Sequence, residues 1–161
     1  MQLLPATDAH LETLNSWIDS RQQCITWGSE NIRYPFTHQS LKEDIQWDTS
    51  TNRSLLDAEG GMVGFGQYSK RHNRIHLSRL IISPDHRGKG YGKHLVEQLL
   101  ANATQALGCT LASLFVYQAN QQAIRCYRAI GFTETPCPPG ERQTNCPGAE
   151  PVIFMTKALV R

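Results

Sequence analysis

A glycine-rich turn in the middle of the chain combines the residue types that bind phosphate. Its sequence over residues 83–93 is Ser-Pro-Asp-His-Arg-Gly-Lys-Gly-Tyr-Gly-Lys, between an apolar run and a segment with helical spacing of apolar residues. Unpaired N–H groups at a helix start attract an anion, and glycines let it approach the backbone closely. The pattern therefore predicts a phosphate or pyrophosphate site, to which Arg87, Lys89 and Lys93 add positive charge.

Two common phosphate-binding patterns do not fit this turn. A Walker A loop needs Gly-Lys-Ser/Thr after four variable residues, but the residue five positions after Gly88 is Lys93. A dinucleotide fingerprint needs its third glycine three residues after the second, whereas Gly92 follows Gly90 by two. The pattern that fits is Arg-x-x-Gly-x-Gly, formed by Arg87, Gly90 and Gly92.

That pattern resembles the pyrophosphate loop of the GNAT superfamily of N-acetyltransferases, Gln/Arg-x-x-Gly-x-Gly/Ala between a strand and a helix. Residues 120–132 resemble the second signature of the superfamily, Asn-x-x-Ala-x-x-x-Tyr-x-x-x-Gly-Phe. The resemblance is good over about residues 50–157 and holds only in outline before them. It implies an α/β fold with a mixed, mostly antiparallel central sheet, a βαβ core that binds coenzyme A (CoA), and splayed central strands.

The hydrophobic pattern predicts the elements that would position both signatures. A buried strand over Arg74–Ser83, a helix ending near Gly108 and a strand over Thr110–Tyr117 form a βαβ crossover. Asn120 and Gly131 are suited to cap a helix over Gln121–Ile130. The other predicted elements are a strand in residues 2–7, helices after Thr7 or Asp8 and near Thr37, strands at Arg53–Ala58, Met62–Lys70, Phe132–Thr135 and Val152–Ala158, and irregular segments at 21–36 and 136–151.

The resemblance implies acetyl-CoA as cosubstrate and assigns residues to bind it. The backbone of the first splayed strand would pair with the pantetheine arm, and the amides from Gly88 to Lys93 would hold the pyrophosphate. Asn120 falls near the pantetheine arm and can also act as the helix cap. The cofactor-binding residues implied are Leu80, Ile81, Ile82, Arg87, Gly88, Lys89, Gly90, Tyr91, Gly92, Lys93 and Asn120.

Two residues are implied to be catalytic. Tyr127 matches the tyrosine of the second signature, the usual general acid for the leaving thiolate, and a phenol of pKa ~10 is a reasonable donor to a thiolate of pKa ~8.5. Many superfamily members carry a glutamate base eleven residues before the motif arginine. Here that position holds His76, which could act directly or through water. A core tyrosine and a half-exposed strand histidine are the structural alternatives.

The function implied is an N-acetyltransferase that moves the acetyl group of acetyl-CoA to a primary amine by direct attack. A small-molecule amine is the favoured acceptor, with a protein or peptide acceptor and a non-catalytic acyl-CoA-binding module as alternatives. In the superfamily the acceptor enters between the N-terminal helices and the loop before the last strand. Aromatic and acidic residues there suit a cationic amine; the alternative is that the aromatic residues belong to the core and the acidic ones are solvated. These residues are Trp17, Trp27, Tyr34, Phe36, Asp19, Glu30, Glu134, Glu141 and Glu150.

The length and composition of the chain exclude several other classes of protein. The chain of 161 residues has a length typical of one domain, predicted to span residues 1–161, and a net charge of +2 gives no case for nucleic-acid binding. No membrane span or secretory signal is expected, which favours the cytoplasm. Five cysteines without a CxxC pair and six scattered histidines favour no metal. Cys137 and Cys146 could pair, although a reducing compartment argues against it. The oligomeric state stays open, with a homodimer among the alternatives.

Overall fold

The computed structural model of the protein describes residues 1–141 and 150–160. Residues 142–149 and 161, including Cys146 and part of the predicted 136–151 loop, lie outside the described residues. The strands are β1 (Gln2–Pro5), β2 (Thr51–Leu56), β3 (Met62–Arg71), β4 (Arg74–Ile82), β5 (Leu111–Tyr117), β6 (Thr133–Glu134) and β7 (Val152–Ala158). The helices are α1 (Asp8–Ser16), α2 (Arg21–Trp27), α3 (His38–Asp44), α4 (Tyr91–Leu107) and α5 (Gln121–Ile130), with a 3₁₀ turn at Pro84–His86.

All seven strands belong to one mixed sheet. Their order is β1-β2-β3-β4-β5-β7-β6, and every neighbouring pair is antiparallel except β4 and β5. The parallel pair is joined by the α4 crossover, as parallel neighbours require. The predicted α/β fold with a mostly antiparallel sheet and a βαβ core is confirmed.

The main core forms where α4 packs on the sheet. The buried face of α4 carries Leu95, Val96, Leu99, Leu100 and Ala103, at the spacing of an amphipathic helix. Gly66 of β3 admits this close packing: a Cβ there would lie 2.5 Å from Leu99 Cδ1 and 2.8 Å from Leu80 Cδ2. At Gly66, α4 therefore packs directly on the sheet, with Leu99 of the helix and Leu80 of β4 both close to the glycine.

The N-terminal helices pack over a second apolar cluster and correct one expectation. Residues 21–36 were expected to be irregular, yet Arg21–Trp27 form α2. Ser20 caps this helix by accepting a hydrogen bond from the backbone N–H of Gln23, and Cys24 buries itself among the residues of the second cluster. The helix is only seven residues long and has one buried residue. It is therefore stabilised by tertiary packing and lacks the periodic apolar pattern by which a helix is predicted from sequence.

The strands β4 and β5 pair over only three residues and then separate. The paired positions run from Ile75 opposite Ala112 to Leu77 opposite Leu114. Just beyond them Arg79 has a left-handed backbone with φ of 51°, and the register between β3 and β4 shifts between Phe65 and Gln67. The bulge turns β4 away from β5, and the predicted splayed strands are present.

The structure describes four of the five cysteines and five helices. Cys24, Cys109, Cys126 and Cys137 are free thiols, the first two buried and Cys137 exposed. None of the helices formed by residues 1–141 and 150–160 has the length and apolar character needed to cross a membrane.

Candidate active site

A cleft of about 470 Å³ lies where β4, the glycine-rich loop and three helices meet. One wall is the end of β4 and the loop, and another is the first turn of α4 with α5. Residues of α2 and the two residues that follow α1, Trp17 and Ile18, form the third. The predicted cofactor-binding residues that line it are Leu80, Ile81, Ile82, Arg87, Gly88, Gly90, Tyr91, Gly92, Lys93 and Asn120. The structure thus brings together both signatures, which are about 30 residues apart in sequence.

The first turn of α4 leaves its N–H groups unsatisfied by any cap. Gly90 is the N-cap residue, in a left-handed conformation with φ of 81°, and no side chain caps the helix. A Cβ at Gly88 or Gly90 would meet nothing within 4 Å, so both backbones face open space. Positive φ explains why glycine stands at these positions, and the exposed N–H groups with the helix dipole create an anion site.

Two basic side chains of the loop contact backbone oxygens. Arg87 Nε donates to the carbonyl of Ile82 at 3.1 Å, which ties the loop to the end of β4. Lys89 Nζ donates to the carbonyl of Asp85 at 3.1 Å, and Lys89 does not line the cleft. Lys89 therefore differs from the other predicted cofactor-binding residues in its position.

A smaller cavity of about 210 Å³ occupies the gap between the separated strands. Leu77–Leu80 of β4 and Leu114–Tyr117 of β5 form its sides. It adjoins the cleft, because the two share the lining residues Thr26, Trp27, Leu80, Asn120 and Tyr127. A ligand that follows the cleft from the α4 turn would end at these shared residues.

Tyr127 stands at the junction of the two cavities. It lies on α5 and its ring meets Phe132 edge to face at 6.1 Å. Burial, with a smaller contribution from Cys126, raises the pKa of the Tyr127 phenol above its usual value, so the hydroxyl stays protonated. Asn120 reaches the same junction and caps α5 by accepting from the N–H of Ala123 at 3.3 Å.

His76 lines the smaller cavity and is 3% exposed. Its Nδ1 lies 2.9 Å from Ser113 Oγ, which also accepts a hydrogen bond from Arg74 Nε at 2.8 Å. Burial lowers the pKa of His76 to about 3, and the charges of Arg71, Arg74 and Arg79 act in the same direction. The imidazole is therefore neutral at physiological pH, and the structure places it in the same cavity as Tyr127.

The spacing of His72 and His76 suits two metal ligands on a helix, but here both belong to a strand and its turn. His72 lies in the β3–β4 turn, and its Nε2 is 3.1 Å from a carboxylate oxygen of Glu141. Within the described parts of the chain no three His, Cys, Asp or Glu residues gather as metal ligands would.

The aromatic and acidic residues expected around an acceptor are dispersed. Trp17 and Trp27 line the cleft, whereas Tyr34 and Phe36 pack against each other and the second cluster. Glu141 lines the smaller cavity. The remaining acids lie outside both cavities: Asp19, Glu30, Glu134 and Glu150.

Sequence reasoning missed several residues that line the cavities. Gln22, Gln23 and Thr26 were missed with their helix, α2. Arg71 and Arg79 line the smaller cavity, although the sequence shows them only as part of a basic run between Lys70 and Lys93. That local excess of charge was the one available signal.

Residues 15–132 match the family model described as "Acetyltransferase (GNAT) family". The match covers most of the chain and includes both signatures and the residues that line the cleft. The mixed sheet with one splayed parallel pair and the uncapped, glycine-rich start of α4 agree with an acetyltransferase fold of this family. The chain belongs to the GNAT acetyltransferase family.

Curated relatives share part of the chain. The spermine/spermidine N(1)-acetyltransferase of Bacillus subtilis is 30% identical over 82 residues, which are 46% of this chain and 54% of that protein. The streptothricin acetyltransferase of Streptomyces lavendulae is 34% identical over 79 residues, 48% of this chain and 41% of that protein. The matched region therefore spans about half the length of these relatives.

Solved structures match nearly the whole fold. Spermidine N-acetyltransferase from Vibrio cholerae, in complex with CoA and spermine, has a TM-score of 0.75 at 21% identity, covering 98% of this chain and 94% of that chain. The ribosomal-protein-S18-alanine N-acetyltransferase from Escherichia coli has a TM-score of 0.67 at 19% identity, with 99% and 94% covered. At these identities the likeness establishes the fold alone.

The low pKa of His76 predicts a loss of stability in mild acid. The unfolded chain protonates this histidine below pH ~6.5, whereas the folded protein does so only near pH 3. Between these values the unfolded state binds the extra proton, so the free energy of unfolding should fall by about 2 kcal/mol from pH 7 to pH 5. Urea denaturation of wild type and His76→Gln at both pH values measures this contribution. An equal loss in both proteins would show that His76 titrates normally.

Proposed function

We propose that the protein is an acetyl-CoA-dependent N-acetyltransferase that acts on a primary amine. The observation that carries the proposal is the continuity of the uncapped α4 turn, the end of β4, Tyr127 and the smaller cavity. That arrangement supplies an anion site, an extended strand edge and a second compartment in one connected space. The family match and the CoA-bound Vibrio cholerae structure of the same fold support it.

Acetyl-CoA fits the chemistry of the cleft. The open space at Gly88 and Gly90 allows a pyrophosphate to reach the N–H groups from Gly88 to Lys93, with the charges of Arg87 and Lys93 nearby. The edge of β4 beyond Leu77 is not paired with β5, so Leu80, Ile81 and Ile82 can pair with an extended pantetheine arm. Asn120 lines the path to the junction. We propose no role in contact with CoA for Lys89, because its ammonium already contacts Asp85.

Tyr127 is proposed as the group that protonates the departing thiolate. Its phenol is protonated at every working pH and stands where the cleft meets the smaller cavity. In the reaction the neutral amine attacks the thioester carbonyl, a C–N bond forms, and the C–S bond breaks as the thiol leaves. A donor at the junction stabilises the sulfur as its charge develops.

His76 is proposed to take the proton that the attacking nitrogen loses. This role needs the tautomer in which Nδ1–H donates to Ser113 Oγ and Nε2 keeps its lone pair, and a hydroxyl oxygen can accept from both Arg74 and His76. Because burial, and then the surrounding arginines, lower the pKa of His76 and disfavour an imidazolium, His76 would pass the proton to solvent rather than hold it. The amine must therefore lose its first proton before it enters.

A small molecule is the proposed acceptor because the smaller cavity holds only about 210 Å³ and lies between two strands. The Escherichia coli structure of similar fold is a ribosomal-protein-S18-alanine N-acetyltransferase, so a peptide N-terminus is the second candidate. We further propose one domain over residues 1–161, since a single sheet carries both apolar clusters. Free thiols at the four described cysteines support a reducing, cytoplasmic location.

Acetyl-CoA should stabilise the protein and release thiol when amines are added. At 100 times its dissociation constant, a ligand adds ~2.7 kcal/mol to the free energy of unfolding, which a thermal shift detects. A panel of small amines and short peptides, followed by detection of free thiol, tests turnover. No thermal shift with millimolar acetyl-CoA contradicts the proposal, and a shift without turnover would indicate a binding module.

Two matched glycine variants test the α4 turn. Gly90 and Gly60 have φ of 81° and 84°, and a Cβ at either would meet nothing within 4 Å. Ala at either position should therefore cost a similar 1–2 kcal/mol of strain. Only Gly90→Ala, at the pyrophosphate site, should also lower CoA affinity, by about tenfold or more. Isothermal titration with CoA measures it, and equal affinities in Gly90→Ala and Gly60→Ala would remove the turn from the site.

Tyr127→Phe tests the proposed acid. The change removes one oxygen and little volume, so CoA affinity and thermal stability should change little. The value of kcat should fall by ~10²–10⁴-fold, the usual contribution of general acid catalysis. Steady-state kinetics with chemistry shown to be rate-limiting measures the effect. A loss confined to KM would mean that Tyr127 only positions substrate.

The pH dependence of the rate tests His76. With a pKa near 3 the imidazole cannot limit the rate above pH 5, so kcat/KM should rise with pH until the amine itself is neutral, near pH 10 for a lysine-like amine. His76→Gln should lower kcat by ~10²-fold or more and leave the shape of the profile unchanged. A profile with an inflection at pH 6–7 that the variant abolishes would contradict the low pKa. A loss under tenfold would exclude His76 as the base.

A further inference from the structure

The smaller cavity is lined by positive charge that its own acid neutralises only in part. Arg71, at the end of β3, and Arg79, at the bulge of β4, both line it. Glu141 is the only acidic residue among the described residues of its lining. The cavity that adjoins Tyr127 therefore holds more guanidinium than carboxylate.

Glu141 is already engaged by other cations. Its carboxylate forms an ion pair with the guanidinium of Arg74, and the side chains of the two are 2% and 8% exposed. His72 Nε2 contacts the same carboxylate oxygen. The sequence of residues 142–149 contains one arginine and no Asp or Glu. That segment therefore brings no side-chain carboxylate to the cavity.

Arg79 is fixed in place and keeps hydrogen-bond donors to spare. Its Nη1 donates to Gln67 Oε1 at 3.0 Å and its Nη2 to the carbonyl oxygen of Asp44 at 3.3 Å. Its buried Nε has no partner among the described residues. Burial, then Arg71, lowers the pKa of Arg79 to about 10, so it remains charged at neutral pH.

The nearest other acid, Asp44, compensates Arg79 only in part: it acts to raise the pKa of Arg79, but burial and Arg71 outweigh it. The carboxylate of Asp44 is bound by Arg33, with Nε 3.1 Å from Oδ2 and Nη2 3.0 Å from Oδ1. His76 is neutral and contributes no charge of either sign. In a partly desolvated cavity, two guanidinium groups that are only partly neutralised attract anions and repel cations much more strongly than in water.

We infer that the acceptor amine carries an anionic group, a carboxylate or a phosphate, that Arg79 and Arg71 bind in the smaller cavity. The planar guanidinium fork matches both anions and orients them, which would aim the amine of the same molecule at the Tyr127 junction. This inference rests on the proposed N-acetyltransferase function. It separates the protein from relatives named for polyamines, because a polycation would enter a cavity of its own sign.

Amines matched in length and different in charge test the inference. We would compare ω-amino acids of three to five carbons with the amino alcohol and the diamine of equal length, and 2-aminoethyl phosphate with ethanolamine. The kcat/KM for the better anionic amines should exceed that of their neutral partners by about 10- to 100-fold, the range of a charge-assisted hydrogen bond. The diamines should be the poorest substrates. The carboxylate and phosphate arms show which anion is bound.

Arginine variants link that preference to the cavity. Arg71→Gln should raise KM for the anionic amine about tenfold or more, with little change for the amino alcohol. Arg79→Gln should raise KM for the anionic amine at least as much, and because it also removes the bonds to Gln67 and Asp44 it can slow the amino alcohol as well; Arg79→Lys should recover part of the loss. Arg125→Gln removes one exposed charge from α5 outside both cavities and should behave as wild type. If Arg79→Gln fails to fold, Arg71→Gln at its strand end decides.

The outcomes separate this inference from the proposed function. Turnover that favours diamines or amino alcohols at every length upholds the acetyltransferase and overturns the anionic acceptor. If no amine is turned over, the proposed function fails, and titration of the CoA-loaded protein with 4-aminobutanoate and 1,4-diaminobutane decides the inference. Tighter binding of the diamine, or equal binding of 4-aminobutanoate to wild type and Arg71→Gln, overturns it.

Discussion

The separation of β4 from β5 after three paired residues is the constraint on which the site depends. A parallel strand that leaves its neighbour must still satisfy the N–H and C=O groups of its freed edge, because buried unpaired backbone groups are costly. The edge of β4 from Ser78 to Ile82 is therefore suited to pair with an extended ligand. The same separation opens the smaller cavity, so the unpaired edge of β4 and this cavity have a common cause.

The bulge at Arg79 holds that separation in place. A non-glycine residue in the left-handed region costs about 1–3 kcal/mol and persists only where its surroundings fix it. Here the bonds from its side chain to Gln67 and to the Asp44 backbone supply that support, and they connect the β4 bulge to β3 and to the end of α3. One residue therefore sets the strand geometry and puts a guanidinium beside the cavity.

The sequence was most informative where function depends on backbone conformation. Glycines at positive φ and the caps of α5 leave short, local signals, and α5 begins and ends at the predicted residues Gln121 and Ile130. The local sequence did not predict α2, which tertiary packing stabilises. It also did not predict the positive φ at Arg79, because the residue there is neither glycine nor asparagine. The net charge of the smaller cavity could not be predicted from the sequence either. Arg71 and Glu141 are 70 residues apart and meet only through the folded sheet.

The difference between local backbone signals and side chains that meet only in the folded protein explains why the family signatures point to acetyl-CoA and leave the acceptor open. The proposed cosubstrate half of the site consists of N–H groups at a helix start and a strand edge, which tolerate many side chains as long as the glycines and the splay persist. The proposed acceptor half consists of side chains from β3, β4, β5 and the segment before residue 142, and apart from Arg79 these do not hold the strand geometry. Charge–charge interactions are strong in a cavity that holds little water. Exchanging two or three of these side chains can therefore change the preferred acceptor to one of opposite charge on a fold shared with polyamine acetyltransferases.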